Sequence, residues 1–191
     1  TLASSLNYPV LISDSVVFKT YVPDDNFEAY LETHDASGNT VSVGDANSMG
    51  DGIANNDSVT TASISGVISL DVQNKNISDL KGIEDFSSIN NLRCTENQLT
   101  TLEISQNLSL SVLECNINQL TNLDLTLNTA LTALNCQDNS LTSLDLTNNV
   151  SLNTLYCNNN QLNNLDVTQN ISLTHLNCHV NQLSSLDLSQ N

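Results

Sequence analysis

The feature that most constrains this chain is a repeat with a period of 21 residues. The 191-residue sequence holds five cysteines, at positions 94, 115, 136, 157 and 178, so that every interval between them is 21. The residues around them repeat as well, as in Leu110–Ala130 and Leu131–Ser151. A fixed period of this length predicts a stack of similar coils, each in contact only with its neighbours.

Each repeat unit has two halves that follow the pattern Leu-x-x-Leu-x-(Leu or Cys)-x-x-Asn. Within the Leu-x-Cys segment side chains alternate between the inside and the outside, as on a β-strand. One unit is therefore predicted to be one coil with two corners and two short extended sides, stacked as parallel strands about 4.8 Å apart. The inward residues of one such coil are Leu110, Leu113, Cys115, Leu120, Leu123 and Leu125.

Two rows of asparagine mark the predicted corners. A buried asparagine needs hydrogen-bond partners, and a corner offers unpaired backbone groups, so both rows are interpreted as structural ladders. The first row is Asn97, Asn118, Asn139, Asn160 and Asn181, and the second is Asn107, Asn128, Asn149, Asn170 and Asn191.

The repeat resembles a known family. The pattern Leu-x-x-Leu-x-Cys-x-x-Asn-Gln-Leu-Thr-x-Leu-Asp-Leu-Ser/Thr-x-Asn is similar to the leucine-rich repeats of secreted Bacteroidetes-type bacterial proteins. Residues 68–83 resemble the first repeat of internalin-like proteins, and residues 22–31 resemble their helical N-terminal cap. The resemblance implies a leucine-rich-repeat solenoid of a secreted or cell-surface protein, with little helix outside the cap.

Three segments are predicted. Residues 1–21 form an N-terminal extension whose apolar residues suggest one or two strands. Residues 22–66 form the cap and a loop, with Asp24 or Asp25 as the N-cap of a helix that presents Phe27, Tyr30 and Leu31 on one face. Residues 67–191 form the solenoid. Its last coil carries an apolar set without a cap, which predicts that the natural chain continues or that this end self-associates.

Composition excludes several classes of partner. The net charge is −17, and no lysine or arginine follows Arg93. Nucleic acid and anionic membrane surfaces are therefore not expected partners. No run of residues is long and apolar enough for insertion into a membrane. The cysteine row is predicted to be buried core without disulfides or zinc, because side chains stacked in parallel converge on no common point.

Neither catalysis nor a cofactor is predicted. A uniform solenoid offers few water-excluding pockets for an enzyme site. His175 and His179 resemble a metal-binding pair, but on a strand this spacing separates them by about 13 Å. The segment from Asp45 to Asp51 has oxygen-bearing residues typical of a calcium loop, although the ligand offsets do not fit an EF-hand, and an ordinary loop is favoured.

The two extended sides differ in how much they vary between coils. One side repeats an acidic residue at Glu103, Asp124, Asp145, Asp166 and Asp187, and the other changes at every coil. A varied, mostly uncharged polar surface with one aromatic is typical of recognition. We therefore expect a non-catalytic module that binds a protein or glycan ligand, in adhesion, with a structural spacer or self-assembling surface protein as the alternative. The predicted ligand-binding residues are Val112, Glu114, Asn116, Asn135, Gln137, Thr154, Tyr156, Asn158, His175, Asn177 and His179.

Overall fold

The computed structural model describes residues 16–191. The strands predicted around Tyr8, Val10 and Ile12 lie outside these residues. The described elements, in chain order, are β1 (Lys19–Tyr21), α1 (Asp25–Thr33), β2 (Ser58–Thr60), α2 (Thr61–Ile64), β3 (Ser69–Asp71), a 3-10 turn (Ile83–Asp85), β4 (Asn91–Arg93), β5 (Val112–Glu114), β6 (Ala133–Asn135), β7 (Thr154–Tyr156) and β8 (His175–Asn177).

The N-terminal cap is a helix joined to a two-stranded sheet. Asp24 is the N-cap of α1, and its Oδ1 accepts the amides of Asn26 and Phe27. The other carboxylate oxygen, Oδ2, accepts the Ser78 amide and hydroxyl, so one side chain fixes the helix to the first coil. Strand β1 pairs antiparallel with β2, so the end of the N-terminal extension and the cap share a sheet.

The apolar face of α1 covers the first coil, as the sequence predicts. Phe27 and Leu31 are fully buried, and Tyr30 is nearly so. The ring of Phe27 stacks on Phe86 of the solenoid, with 6.2 Å between the ring centroids. An end coil without such a cover would expose its core to water.

Two buried carboxylates hold the loop between α1 and β2. Glu28 accepts the amides of Asn56 and Asp57, and Glu32 accepts those of Asp51 and Gly52. Both glutamates are fully buried. At Gly50 a Cβ atom would lie only 2.1 Å from Cδ of Glu32, so the close approach of loop and helix requires glycine.

The solenoid core and its sheet follow the predicted repeat. Strands β3 to β8 form one six-stranded parallel sheet in sequence order, and each residue pairs with its equivalent in the next coil, as Leu113 does with Leu134. The inward leucines up to Leu173 are buried, as are Cys94, Cys115, Cys136 and Cys157, whereas those of the last coil are partly buried or exposed. Cys178 in the last coil is only partly buried, contrary to the expectation that all five thiols are shielded.

The second extended side corrects one expectation. The sequence predicts parallel strands on both sides, whereas residues 121–126 and their equivalents form no strand. On this side the carboxylate of Asp124 accepts the amide and the hydroxyl of Thr126, at 2.9 and 2.6 Å. Because the side chain takes the amide within its own coil, that amide is not available for pairing with the next coil.

Both asparagine rows form ladders, but with different bonding. Asn160 of the first row donates to the carbonyls of Cys136 and Cys157, and its Oδ1 accepts the amide of Leu141. Asn149 of the second row donates to the carbonyls of Leu125 and Asn128, and its buried Oδ1 has no partner. The residue before each asparagine of the first row has a positive φ, from 49° to 55°: these are Glu96, Ile117, Asp138, Asn159 and Val180.

Candidate functional site

The candidate site is the outer surface of strands β4 to β8, here called the variable face. Parallel register places equivalent side chains in three rows that run along the solenoid. The first row is Asn91, Val112, Ala133, Thr154 and His175. The central row is Arg93, Glu114, Asn135, Tyr156 and Asn177. The third row, just past the strands, is Thr95, Asn116, Gln137, Asn158 and His179.

The structure brings the predicted ligand-binding residues onto one side of the solenoid, where most of them are partly buried. Tyr156 is 36% exposed, and His175 and His179 are exposed as well. Asn116 and Asn158 differ from this pattern, because they are only 7% and 4% exposed. The third row lies where each strand enters the corner, and in its first two coils the Thr95 hydroxyl donates to Oδ1 of Asn116 at 2.7 Å.

A notch of about 200 Å³ interrupts the middle of the variable face. It lies over Ala133, the smallest side chain of the first row, and Asn135. Its remaining walls are Val112, Leu113, Glu114, Leu134, Thr154 and Tyr156. Sequence reasoning did not include Ala133 in the site. The signal that could have found it is a small residue between larger outward neighbours, which leaves a depression in a sheet surface.

Charge on the variable face is confined to its N-terminal half. Arg93 pairs with Asp71 across β3 and β4 in the sheet register, and its guanidinium lies 3.3 Å from the carboxylate of Glu114. Beyond Glu114 the central row continues with Asn135, Tyr156 and Asn177, which carry no formal charge. The notch therefore lies at the boundary between a carboxylate and a neutral aromatic segment.

The acidic side is built from local turns. Each aspartate in positions 124, 145 and 166 accepts the amide and hydroxyl of the threonine two residues later. These threonine hydrogen bonds lower the pKa of all three exposed carboxyls, although a neighbouring aspartate opposes the effect at Asp124 and Asp166. The uniformity of this side therefore has a structural cause.

The buried thiols have the properties of core residues. Burial raises the pKa of Cys94 and of Cys157 to about 12 and the pKa values of Cys115 and Cys136 well above the ordinary range. Thiolate is the nucleophilic and metal-binding form, so these thiols are chemically inert near neutral pH.

The metal-type candidates from the sequence do not come together. Within residues 16–191, side chains of metal-binding type converge at Asp25, Glu28 and Asp57, and not at His175 and His179. In the predicted calcium loop, Asp45 accepts the amide of Asn47 and Asp51 accepts that of Ile53. Asp51 also pairs with Lys19. Burial acts to raise the pKa of Asp51, but this cation and the hydrogen bonds outweigh it and lower the pKa to about 2.

In the part of the chain that the structure describes, no helix combines the length and apolar character needed to cross a bilayer.

Comparison with known proteins supports the fold class. Internalin J of Listeria monocytogenes is 39% identical over 51 residues, which are 27% of this chain and 6% of that protein. No protein-family model matches the chain. Among solved structures, an internalin (inlF) of Listeria monocytogenes superposes with a TM-score of 0.73 at 19% identity, over 87% of this chain and 46% of that one. A leucine-rich-repeat protein of Leptospira interrogans superposes with a TM-score of 0.62 at 26% identity, over 66% of this chain and 35% of that one.

The chain thus spans less than half the length of each of these proteins. The fold is that of a leucine-rich-repeat solenoid with similarity to internalins.

Proposed function

We propose that this chain is a non-catalytic recognition module that works outside the cell and binds a protein or glycan ligand, in adhesion, through the variable face. The observation that carries the proposal is the contrast between the two outer sides of the coils. On the acidic side each outward aspartate is engaged by its own turn, whereas the outward residues of the variable face differ from coil to coil and include an exposed tyrosine.

The composition of the variable face supports this assignment. Recognition surfaces are poor in charge at their centre and rich in aromatic side chains, because an aromatic ring gives a large contact at a small entropic cost. Tyr156 lies near the middle of the face, between Asn135 and Asn177. The similarity to internalin J and to an internalin structure adds support for a binding module at the cell surface.

A structural spacer or self-assembling surface protein is the second candidate. Several apolar side chains outside the variable face favour it, because exposed apolar groups are typical of contacts between chains. Val150 and Ile171 are 51% and 69% exposed and are equivalent residues of neighbouring coils. In this case light scattering would show association that depends on Val150 and Ile171 and not on Tyr156.

The test of the proposed function is a ligand screen with matched variants. Extracellular protein and glycan panels are probed with the whole chain, with Tyr156→Ala and with Asp145→Ala from the acidic side. We expect Tyr156→Ala to weaken binding at least ten-fold and Asp145→Ala to leave it within two-fold. Equal effects of the two substitutions would remove the case for the variable face.

A further inference from the structure

We infer that the notch over Ala133 receives one lysine or arginine side chain of a partner polypeptide. This inference rests on the proposed function of the variable face and names the chemistry that the face selects. Four observations carry it: the size of the notch, its apolar floor, the carboxylate and aromatic ring on its two walls, and the charge of the chain.

The size of the notch fits one side chain. Sites that enclose whole small molecules occupy about 300–1,000 Å³, whereas this notch holds about 200 Å³ and is open to solvent. Its walls Glu114 and Tyr156 belong to β5 and β7, with β6 between them. Two strand spacings separate these walls by about 10 Å. Asn135 lies between them in the central row, so the room for one extended chain of methylenes is over Ala133, the smallest side chain of the first row.

The floor of the notch suits the aliphatic part of a long side chain. Val112 and Ala133 contribute methyl groups, and the methyl of Thr154 continues the same row. Lysine and arginine bury their methylene stems on apolar surface while the charged end stays at the water boundary. A purely apolar side chain would also fit the floor. The choice between an apolar and a basic side chain therefore depends on the walls of the notch.

The walls favour a cation. Glu114 offers a carboxylate that is 30% exposed, and its known partner Arg93 lies on the side away from the notch, in β4. Asp71 follows Arg93 in the same row and adds a second negative charge there, with its carboxylate bonded to Gln73. On the opposite wall, the ring of Tyr156 can attract a cation through its electron-rich face.

The charge of the whole chain favours the same partner. The net charge is −17, and from residue 94 onward there are eight acidic residues and no lysine or arginine. A field of this sign raises the encounter rate with basic segments and repels acidic ones. Among the residues that line the notch, Glu114 is the charged group, and its salt-bridge partner Arg93 lies beyond it in β4.

The experiment is a titration followed by amide chemical shifts at physiological salt. The probes are Nα-acetyl-lysine N-methylamide, its neutral Nε-acetyl form and the norleucine equivalent. We expect the lysine probe alone to give saturable shifts centred on β5, β6 and β7. Glu114→Gln should weaken its binding about five-fold and Tyr156→Leu about three-fold, whereas Tyr156→Phe should retain it.

Two further variants control for folding and for general charge effects. Ala133→Leu fills the notch without changing any charge and should abolish the shifts, while Asp145→Asn on the acidic side should leave them unchanged. Equal binding of norleucine would overturn the assignment of a cation. Shifts spread along the acidic side, or binding of diacetylchitobiose at Tyr156 without binding of lysine, would overturn it as well.

The outcome separates this inference from the proposed function. A polypeptide ligand from the screen that binds through Tyr156, with no loss when its lysines and arginines are replaced by glutamine, would refute the notch assignment. The proposed function of the variable face would still stand. The opposite result would support both the inference and the proposed function. Replacing a single basic residue of the ligand would then abolish binding, and Glu114→Lys would restore binding to a ligand that carries an acidic residue at that position.

Discussion

The two corners of each coil both carry an asparagine, but the two asparagines make different hydrogen bonds. At the first corner, which contains Asn160, the side chain uses both ends: Nδ2 donates to carbonyls of its own and the preceding coil, and Oδ1 accepts the Leu141 amide at 2.9 Å. At the second corner, Asn149 uses Nδ2 alone, and its Oδ1 is buried without a partner.

The backbone differs between the corners as well. At the first corner the residue before the asparagine has a positive φ in five successive coils, and two of these residues, Ile117 and Val180, are β-branched. Left-handed backbone costs an L-residue about 1–2 kcal/mol, and β-branched residues suffer most. No residue between Thr101 and Ala130 other than Ile117 has a positive φ, so the second corner turns without this cost.

The first corner therefore fixes how the coils stack. A strained residue turns the backbone sharply, and the following asparagine then bridges amide and carbonyl groups of two coils. At the second corner the asparagine only donates to carbonyls, because its side-chain oxygen accepts no hydrogen bond.

The largest effect should appear at alkaline pH and should belong to the first corner. The stacked inward row that leads into this corner is cysteine, whereas the row that leads into the second is Ile104, Leu125, Leu146 and Val167. Burial raises the pKa of the thiols, so the folded chain keeps protons that the unfolded chain loses above its ordinary pKa of about 8.5. Stability is fully present below that value and falls as the pH rises toward about 12.

In this pH window each buried thiol should lower the free energy of unfolding by about 1.4 kcal/mol per pH unit. With four of them buried, the free energy of unfolding should fall by roughly 4–5 kcal/mol between pH 9 and 10, as measured by urea denaturation. A Cys115→Val and Cys136→Val double variant should halve the slope, and Leu125→Val at the second corner should leave it unchanged. An equal slope in all three proteins would show that the thiols do not control alkaline unfolding.

The next effect compares one asparagine from each ladder. Asn160→Ala leaves the amide of Leu141 without a partner, and an orphaned buried amide is among the costliest losses. It also removes three contacts to carbonyls, each of which keeps another donor. Asn149→Ala removes two contacts to carbonyls that also accept backbone amides, and it eliminates an oxygen that was already unsatisfied.

We expect Asn160→Ala to lower the free energy of unfolding by about 3 kcal/mol and Asn149→Ala by about 1.5 kcal/mol. Chemical denaturation of both variants under one set of conditions measures the difference. Equal losses would mean that the unused Oδ1 of Asn149 has no bearing on the stability of its corner.

Sequence reasoning recovered the parts of this fold that a period determines. The 21-residue spacing located the coils from β4 to β8, the inward leucines and cysteines, and both asparagine rows. The first coil, whose strand is offset by 22 residues from the next, was predicted instead from its resemblance to the first repeat of internalin-like proteins. It could not separate the two corners, because the sign of φ is not marked by glycine: Glu96, Ile117 and Asp138 share the same backbone conformation. The lack of strand pairing on the acidic side was missed for a similar reason, since it depends on which acceptor the Thr126 amide bonds to.

For the candidate site, the alternation of side chains predicted that Tyr156 faces outward, and this side chain is exposed. It could not show that Asn158 is covered by its neighbours or that Ala133 opens a notch, because both depend on the relative sizes of side chains in adjacent coils. Burial and cavities are properties of the stack, and a single repeat unit does not contain them.

The smallest effect is a gain in stability at the strained residue of the first corner. Ile117 has a φ of 55° and is 42% exposed, and the equivalent residue of a later coil is Asn159 with the same φ. Asparagine tolerates this conformation because its short polar side chain can hydrogen-bond locally. Ile117→Asn should therefore raise the free energy of unfolding by about 1 kcal/mol and the melting temperature by about 2–4 °C. Ile171→Asn is the matched control, because this isoleucine is 69% exposed at the second corner and has no positive φ. Its effect should stay within about 0.5 kcal/mol. If both substitutions stabilise the chain equally, the gain comes from removing an exposed apolar side chain, and the first corner stores no backbone strain at Ile117.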